Sequence, residues 1–125
     1  MVTKTSNEDA IIEYLADRCI RKILGLTSKK EYSAIELSSE LNTSISTVYR
    51  KLKLLELAGL IKHVKTVINL TGNEEKYYHC IIREVKISFK CDELSVSLEK
   101  EDYSDKFVRL WKRLASSNSE EIEHE

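Results

Sequence analysis

The switch of pattern at Gly59 constrains this chain more than any other feature. Before it, Ile45, Val48, Leu52 and Leu55 fall at i, i+3, i+7 and i+10, the spacing of one buried stripe on a helix. After it, Leu60-Ile61-Lys62-His63-Val64-Lys65-Thr66-Val67-Ile68 is rich in β-branched residues and partly alternating, as a strand requires. The polar Asn42-Thr43-Ser44 interrupts the chain on the other side, and Thr43 or Ser44 can cap the helix. A helix over Ile45–Ala58, ended by Gly59 and delivered directly into a strand, follows.

The remaining elements fit around this junction. Upstream, Ile11, Ile12, Leu15, Cys19, Ile20, Ile23 and Leu24 recur every three or four residues, which predicts one long helix from Asn7 to Leu24 with Gly25 as its stop. Its apolar face is wider than one neighbour needs and implies contact with a second element or subunit as well as the core. Ser33-Ala34-Ile35-Glu36 has the S-x-x-E form of a capping box and opens a helix over Ala34–Leu41, with Ile35, Leu37 and Leu41 available for the core. Downstream, Thr71-Gly72-Asn73 is turn material and Lys76 to Ile82 reads as the returning strand of a β-hairpin. Alternation over Glu84–Lys90 and Leu94–Leu98 predicts a second hairpin or a continuation of the first sheet. Phe107, Leu110, Trp111 and Leu114 fall at i, i+3, i+4 and i+7, which makes Asp105–Ala115 an amphipathic helix. The expected organisation is one α+β domain over residues 1–115, followed by a flexible acidic tail over residues 116–125.

Composition excludes several classes. A chain of 125 residues falls in the size range of a single domain. No apolar run approaches the roughly 20 residues that span a bilayer, and the N-terminus has no apolar stretch with a cleavage site, so a cytoplasmic protein without a membrane partner is expected. Cys19, Cys80 and Cys91 are odd in number and far apart, and there is no C-x-x-C, which argues against disulfides and structural zinc. His63 and His79 lie on opposite strands of the first hairpin, but two histidines fall short of a zinc ligand set, so no metal or cofactor is expected. The Asn69-Leu70-Thr71 sequon reads as coincidence. There is no phosphate-cradling glycine loop, nucleophile elbow or H-E-x-x-H, and an enzyme is not expected.

The net charge of −1 conceals a polarised chain. Residues 43–69 carry five basic groups against one acidic, whereas residues 92–105 carry one against six. The order helix, helix, polar turn, helix, glycine, basic β-hairpin is that of a winged helix-turn-helix: a three-helix core with a hairpin wing, here with a further β segment and a C-terminal amphipathic helix. In such a fold the third helix enters the major groove of duplex DNA and the hairpin lies along the neighbouring backbone or minor groove. Opposite its apolar stripe the third helix carries Ser46, Thr47, Tyr49, Arg50, Lys51 and Lys53, preceded by Ser44. Arg50 and Tyr49 are candidates for base edges, Ser46 and Thr47 for the groove edge, and Lys51 and Lys53 for phosphates. Tyr49 has an alternative place beneath the hairpin as part of the core. On the wing, Lys62, His63, Lys65, Asn73 and Lys76 are the candidate contacts.

At this point the chain resembles a known family. Ser46-Thr47-Val48-Tyr49-Arg50-Lys51-Leu52-Lys53-Leu54-Leu55-Glu56-Leu57-Ala58-Gly59-Leu60-Ile61 is similar to the recognition helix and strand entry of the ArsR-like winged helix transcriptional regulators, and Ala34 to Asn42 resembles their positioning helix. The resemblance covers residues 33–82; the remainder is similar, more loosely, to small archaeal members. It implies a DNA-binding repressor or activator acting as a homodimer, with dimer contacts from the first and last helices: Ile12, Leu15, Cys19, Phe107, Leu110, Trp111 and Leu114. By the same resemblance Ser46, Thr47, Tyr49 and Arg50 match the positions that meet DNA. The C-x-C pair through which many relatives sense metal is missing, since no cysteine lies between Ile20 and His79. The rival reading is a winged helix that docks proteins within a transcription or other multiprotein assembly, a role to which a near-neutral net charge is suited.

Overall fold

The computed structural model describes residues 8–101. In chain order the elements are α1 (Glu8–Ala16), α2 (Arg18–Lys29), β1 (Tyr32–Ser33), α3 (Ala34–Leu41), α4 (Ile45–Leu57), β2 (Ile61–Ile68), β3 (Glu74–Cys80), β4 (Ile82–Lys90) and β5 (Glu93–Lys100). This is an α+β winged helix-turn-helix, with α3 and α4 joined by the turn at Asn42-Thr43-Ser44 and the β2–β3 hairpin as wing. The expected helix over Asp105–Ala115 and the tail lie outside the described residues.

The long first helix expected from periodicity is two helices. Asp17 breaks it by capping α2: its carboxylate accepts the backbone N–H of Cys19 at 2.8 Å and of Ile20 at 3.2 Å. Both helices turn apolar residues to the same core, so the three-and-four spacing runs through the break and hides it. Gly25 is not a stop. It lies inside α2, which continues to Lys29, with the Thr27 hydroxyl donating to the Ile23 carbonyl at 2.7 Å.

Other expectations hold. Ser33 and Glu36 form the full capping box at the start of α3, with Ser33 N–H donating to Glu36 Oε1 at 3.0 Å and Glu36 N–H to Ser33 Oγ at 3.2 Å. The α3 helix ends at Asn42, whose φ of 50° is the left-handed conformation that an Asn tolerates. Ser44 caps α4, and Gly59 leaves it with φ +76°.

The core joins Ile20, Ile23 and Leu24 of α2, Ala34 and Leu37 of α3, Val48, Leu52 and Leu55 of α4, and Leu60, Ile61, Tyr78 and Cys80 at the base of the wing. Ile35 and Ile45, expected in it, are exposed; each sits at the edge of its helix stripe. Cys80 is buried, Cys19 is half-buried against the core, and Cys91 is exposed in the turn between β4 and β5.

The sheet of the wing has the order β1-β3-β2. Strand β1, two residues long and not expected, pairs Tyr32 with Tyr78 and Ser33 with Tyr77. Strands β4 and β5 form a separate antiparallel hairpin rather than extending the wing. Its pairs Val85↔Leu98, Ile87↔Val96 and Phe89↔Leu94 set six apolar residues on one face. Both of its ends return to the wing base: Ile81 N–H donates to the Leu60 carbonyl at 3.1 Å, and Glu101 N–H donates to the Ile81 carbonyl at 2.6 Å.

Candidate nucleic-acid interface

The candidate surface is built on α4, whose rotation is fixed on two sides. One side sinks Val48, Leu52 and Leu55 into the core. On a flank of that stripe, Lys51 Nζ meets Asp17 Oδ2 at 2.5 Å, and the Lys51 side chain is only 15% exposed. Lys51, expected at phosphate, thus has its charge engaged at the start of α2. The face left outward carries Ser46, Arg50 and Lys53, all exposed, with Tyr49 exposed beside them. Tyr49 does not tuck into the core.

The start of α4 is lined with hydroxyls. Ser44 Oγ accepts the Thr47 N–H at 3.4 Å and donates to Thr47 Oγ1 at 2.8 Å, while Ser46 lies exposed next to it. Small polar groups at a helix N-terminus let a phosphate approach the free N–H groups and the positive end of the helix dipole.

The alternation of strand residues divides the wing into two faces. On the inner face Glu74, Lys76 and Tyr78 of β3 stand across from Tyr49, Lys53 and Glu56 of α4, and together these six line a groove of about 360 Å³. His63, opposite Tyr78 in the ladder, shares this face; its ring lies 6.0 Å from that of Tyr78 and its Nε2 is 2.8 Å from Thr66 Oγ1. Burial pushes the Tyr78 phenol up, helped by the charges of Glu56 and Tyr49, so it stays a neutral hydrogen-bonding group beside the groove.

The outer face carries Tyr77, Glu75 and His79 of β3, with Ser33 of the neighbouring β1. Lys65 pairs with Tyr77, holds its ammonium 4.8 Å over that ring, and lies 3.6 Å from Glu31, while Ser33 Oγ donates to Glu75 at 3.2 Å. Lys62 stands opposite His79 on this same outer side. The expected wing contacts thus separate: His63 and Lys76 face the groove with α4, Asn73 sits exposed in the turn, and Lys62 and Lys65 do not share their side. Alternation alone sets Lys62 opposite to His63, and the bulge between His63 and Lys65 adds Lys65 to the side of Lys62, where unbroken alternation sets it with His63.

The two histidines, on opposite faces, do not converge: His79 meets Glu101 at 3.4 Å instead, and no cluster that could hold a metal exists among the described residues. Sequence reasoning missed Glu56, Glu74 and Tyr78 as groove residues. The parity of Lys76 carried the signal for the two on β3.

Residues 15–64 match a family model described as a helix-turn-helix domain. The matched helix-turn-helix segment runs from the last turn of α1 to the bulge in the wing, and so includes the Asp17–Lys51 link and the whole exposed face of α4. No match was found among the curated proteins. Among solved structures, an ArsR family transcriptional regulator is similar at 16% identity and a TM-score of 0.43, over 95% of this chain and 98% of that one. HlyU from Vibrio cholerae is similar at 19% identity and a TM-score of 0.41, over 90% of this chain and 97% of that one. Among the described residues no helix is long and apolar enough to cross a membrane.

Proposed function

We propose that the protein is a transcription regulator that binds duplex DNA sequence-specifically as a homodimer, with α4 in the major groove and the β2–β3 hairpin as wing. The observation that carries this reading is the outward face of α4, where Ser46, Arg50 and Lys53 are exposed on a helix-turn-helix whose opposite side is held by the core and by Asp17. Arg50 reads a base edge, a role suited to a planar donor fork, with Tyr49 beside it; Ser44, Ser46 and Thr47 meet backbone at the groove edge. Lys53 and Lys76, across the groove from each other, contact phosphate. As a dimer the protein spans two half-sites about one helical turn apart, roughly 10 base pairs.

For the dimer, Ile12, Leu15 and Cys19 are each half-buried, Leu15 and Cys19 partly packed against the core. Their expected partners Phe107, Leu110, Trp111 and Leu114 lie outside the described residues. The second hairpin contributes uncovered apolar surface, with Phe89 70% exposed and Ile87 48% exposed.

The test is selection of preferred duplexes from a random pool, followed by titration at two salt concentrations with the parent and Arg50→Ala. Affinity that falls steeply with salt, and that Arg50→Ala weakens by about 1–3 kcal/mol with relaxed selectivity, supports the reading. No preference over random duplex, with Arg50→Ala equal to the parent, replaces it with the protein-docking reading.

A further inference from the structure

The tip of the wing combines a tightly bonded turn with apolar side chains held in solvent. Asn69 Oδ1 accepts three hydrogen bonds, from Thr71 N–H at 3.0 Å, Thr71 Oγ1 at 2.6 Å and Asn73 N–H at 3.0 Å. The backbone closes the same loop, with Asn69 N–H donating to the Asn73 carbonyl at 2.9 Å and Gly72 N–H to the Asn69 carbonyl at 3.0 Å. These bonds satisfy the turn's polar groups internally and leave Leu70 pointing outward, fully exposed, with Ile68 behind it 69% exposed. A loop that only joins two strands needs neither this rigidity nor a leucine at its apex.

We propose that Leu70, backed by Ile68, is an apolar wedge that enters the minor groove beside the footprint of α4 and unstacks a base step of duplex DNA. The inference rests on the DNA reading above and names how the wing acts in it. Two observations choose DNA as the occupant. Ile68 stands opposite Glu74, on the wing face that carries Lys76 and looks toward α4, so it shares a side with Tyr49 and Lys53. From Cys80 in the core to Glu74 at the tip, β3 extends roughly 20 Å, more than the ~12 Å width of a major groove, so the tip reaches the groove next to the one α4 occupies. Leucine and isoleucine are among the side chains that wedge between base steps and kink the duplex.

The experiment uses a duplex selected by the protein itself, with 2-aminopurine replacing adenine at successive positions outside the α4 footprint. At saturating parent protein the fluorescence rises several-fold at one step, because unstacking relieves quenching. Leu70→Asn binds about fivefold more weakly, since apolar burial and unstacking cost nearly offset each other, and gives no rise. Lys53→Ala also binds more weakly but keeps the rise at saturation. Because Leu70 touches solvent alone in the free protein, its replacement leaves the thermal midpoint unchanged. Salt-dependent binding with no rise, or a rise that survives Leu70→Asn, overturns the wedge and leaves the DNA reading standing. So does dissociation of a dimer by Leu70→Asn in sedimentation, which assigns the residue to a subunit contact. Absence of any duplex binding at low salt removes the DNA reading and the wedge together.

Discussion

Lys51 and Asp17 join the middle of α4 to the N-cap of α2 across 34 positions of sequence. One carboxylate thereby ends one helix, starts the next by accepting two backbone N–H groups, and orients the helix proposed to read DNA. The hydrogen bond from Lys51 holds the Asp17 carboxyl below its ordinary range; the backbone N–H groups of Ile20 and Cys19 add to this, and burial opposes it.

A carboxyl depressed in the folded state contributes stability that is present above its unfolded value, near 3.8, and is lost as pH falls through the folded value. Asp17→Asn keeps the cap, since asparagine caps as well as aspartate, and removes only the charge. The variant is expected to be less stable than the parent by about 0.5–1 kcal/mol at pH 7, a small figure because the Asp17 side chain is 34% exposed and screened. Urea denaturation at pH 7 and pH 3 checks it: the difference should shrink at the lower pH, and an undiminished difference there removes the ion pair from the account.

The lysines should separate in their salt dependence. Lys53→Ala and Lys76→Ala are each expected to lower the slope of log K against log salt by about 1, the signature of one lost phosphate contact. Lys51→Ala and Lys65→Ala should leave the slope unchanged, because Lys51 is held by Asp17 and Lys65 by Glu31 and the Tyr77 ring. Fluorescence titrations from about 50 to 200 mM salt resolve these slopes. Equal losses from all four variants would mean that DNA also meets the outer face of the wing and the flank of α4 that carries Lys51.

The turn of the second hairpin invites repair. Cys91 and Asp92 connect the paired residues Lys90 and Glu93 with φ values of 51° and 61°, so both central residues are left-handed, as in a type I′ turn. Neither is the residue such a turn favours. Replacing the pair by Asn-Gly should stabilise the protein by about 1 kcal/mol and slow amide exchange along β4 and β5. An unchanged thermal midpoint with unchanged exchange would show that this hairpin does not unfold with the core.

What could be read from residues alone was whatever local physics decides. The Ser33–Glu36 capping box, the Ser44 cap and the glycine exit of α4 depend on neighbours within four residues, and the sequence places each correctly. The break at Asp17 escaped because two helices packing on one core share a common apolar phase, and a charged residue between them looks like any exposed position. The fate of Lys51 escaped for a different reason: its partner is 34 residues away, and no periodicity encodes a pair that only folding brings together. On the wing the residues alone did not show the bulge, where one extra residue moves Lys65 to the side away from α4.

The glycines give the last contrast, since two residues with one expected role have opposite ones. Gly59 holds φ +76° at the end of α4, where any Cβ is strained, and a Cβ there would meet Lys100 Nζ at 2.8 Å. That ammonium is the far end of a flexible chain and can move, so the cost of Gly59→Ala is set by the backbone, about 1 kcal/mol. Gly25 sits inside α2, with nothing within 4 Å of the position of a Cβ. Gly25→Ala removes unfolded-state freedom without a clash and should stabilise by about 0.5–1 kcal/mol. Thermal melts of the two variants should therefore shift in opposite directions. Destabilisation by Gly25→Ala would mean that the chain does end a helix at Gly25 in solution, and that α2 is shorter than Arg18–Lys29.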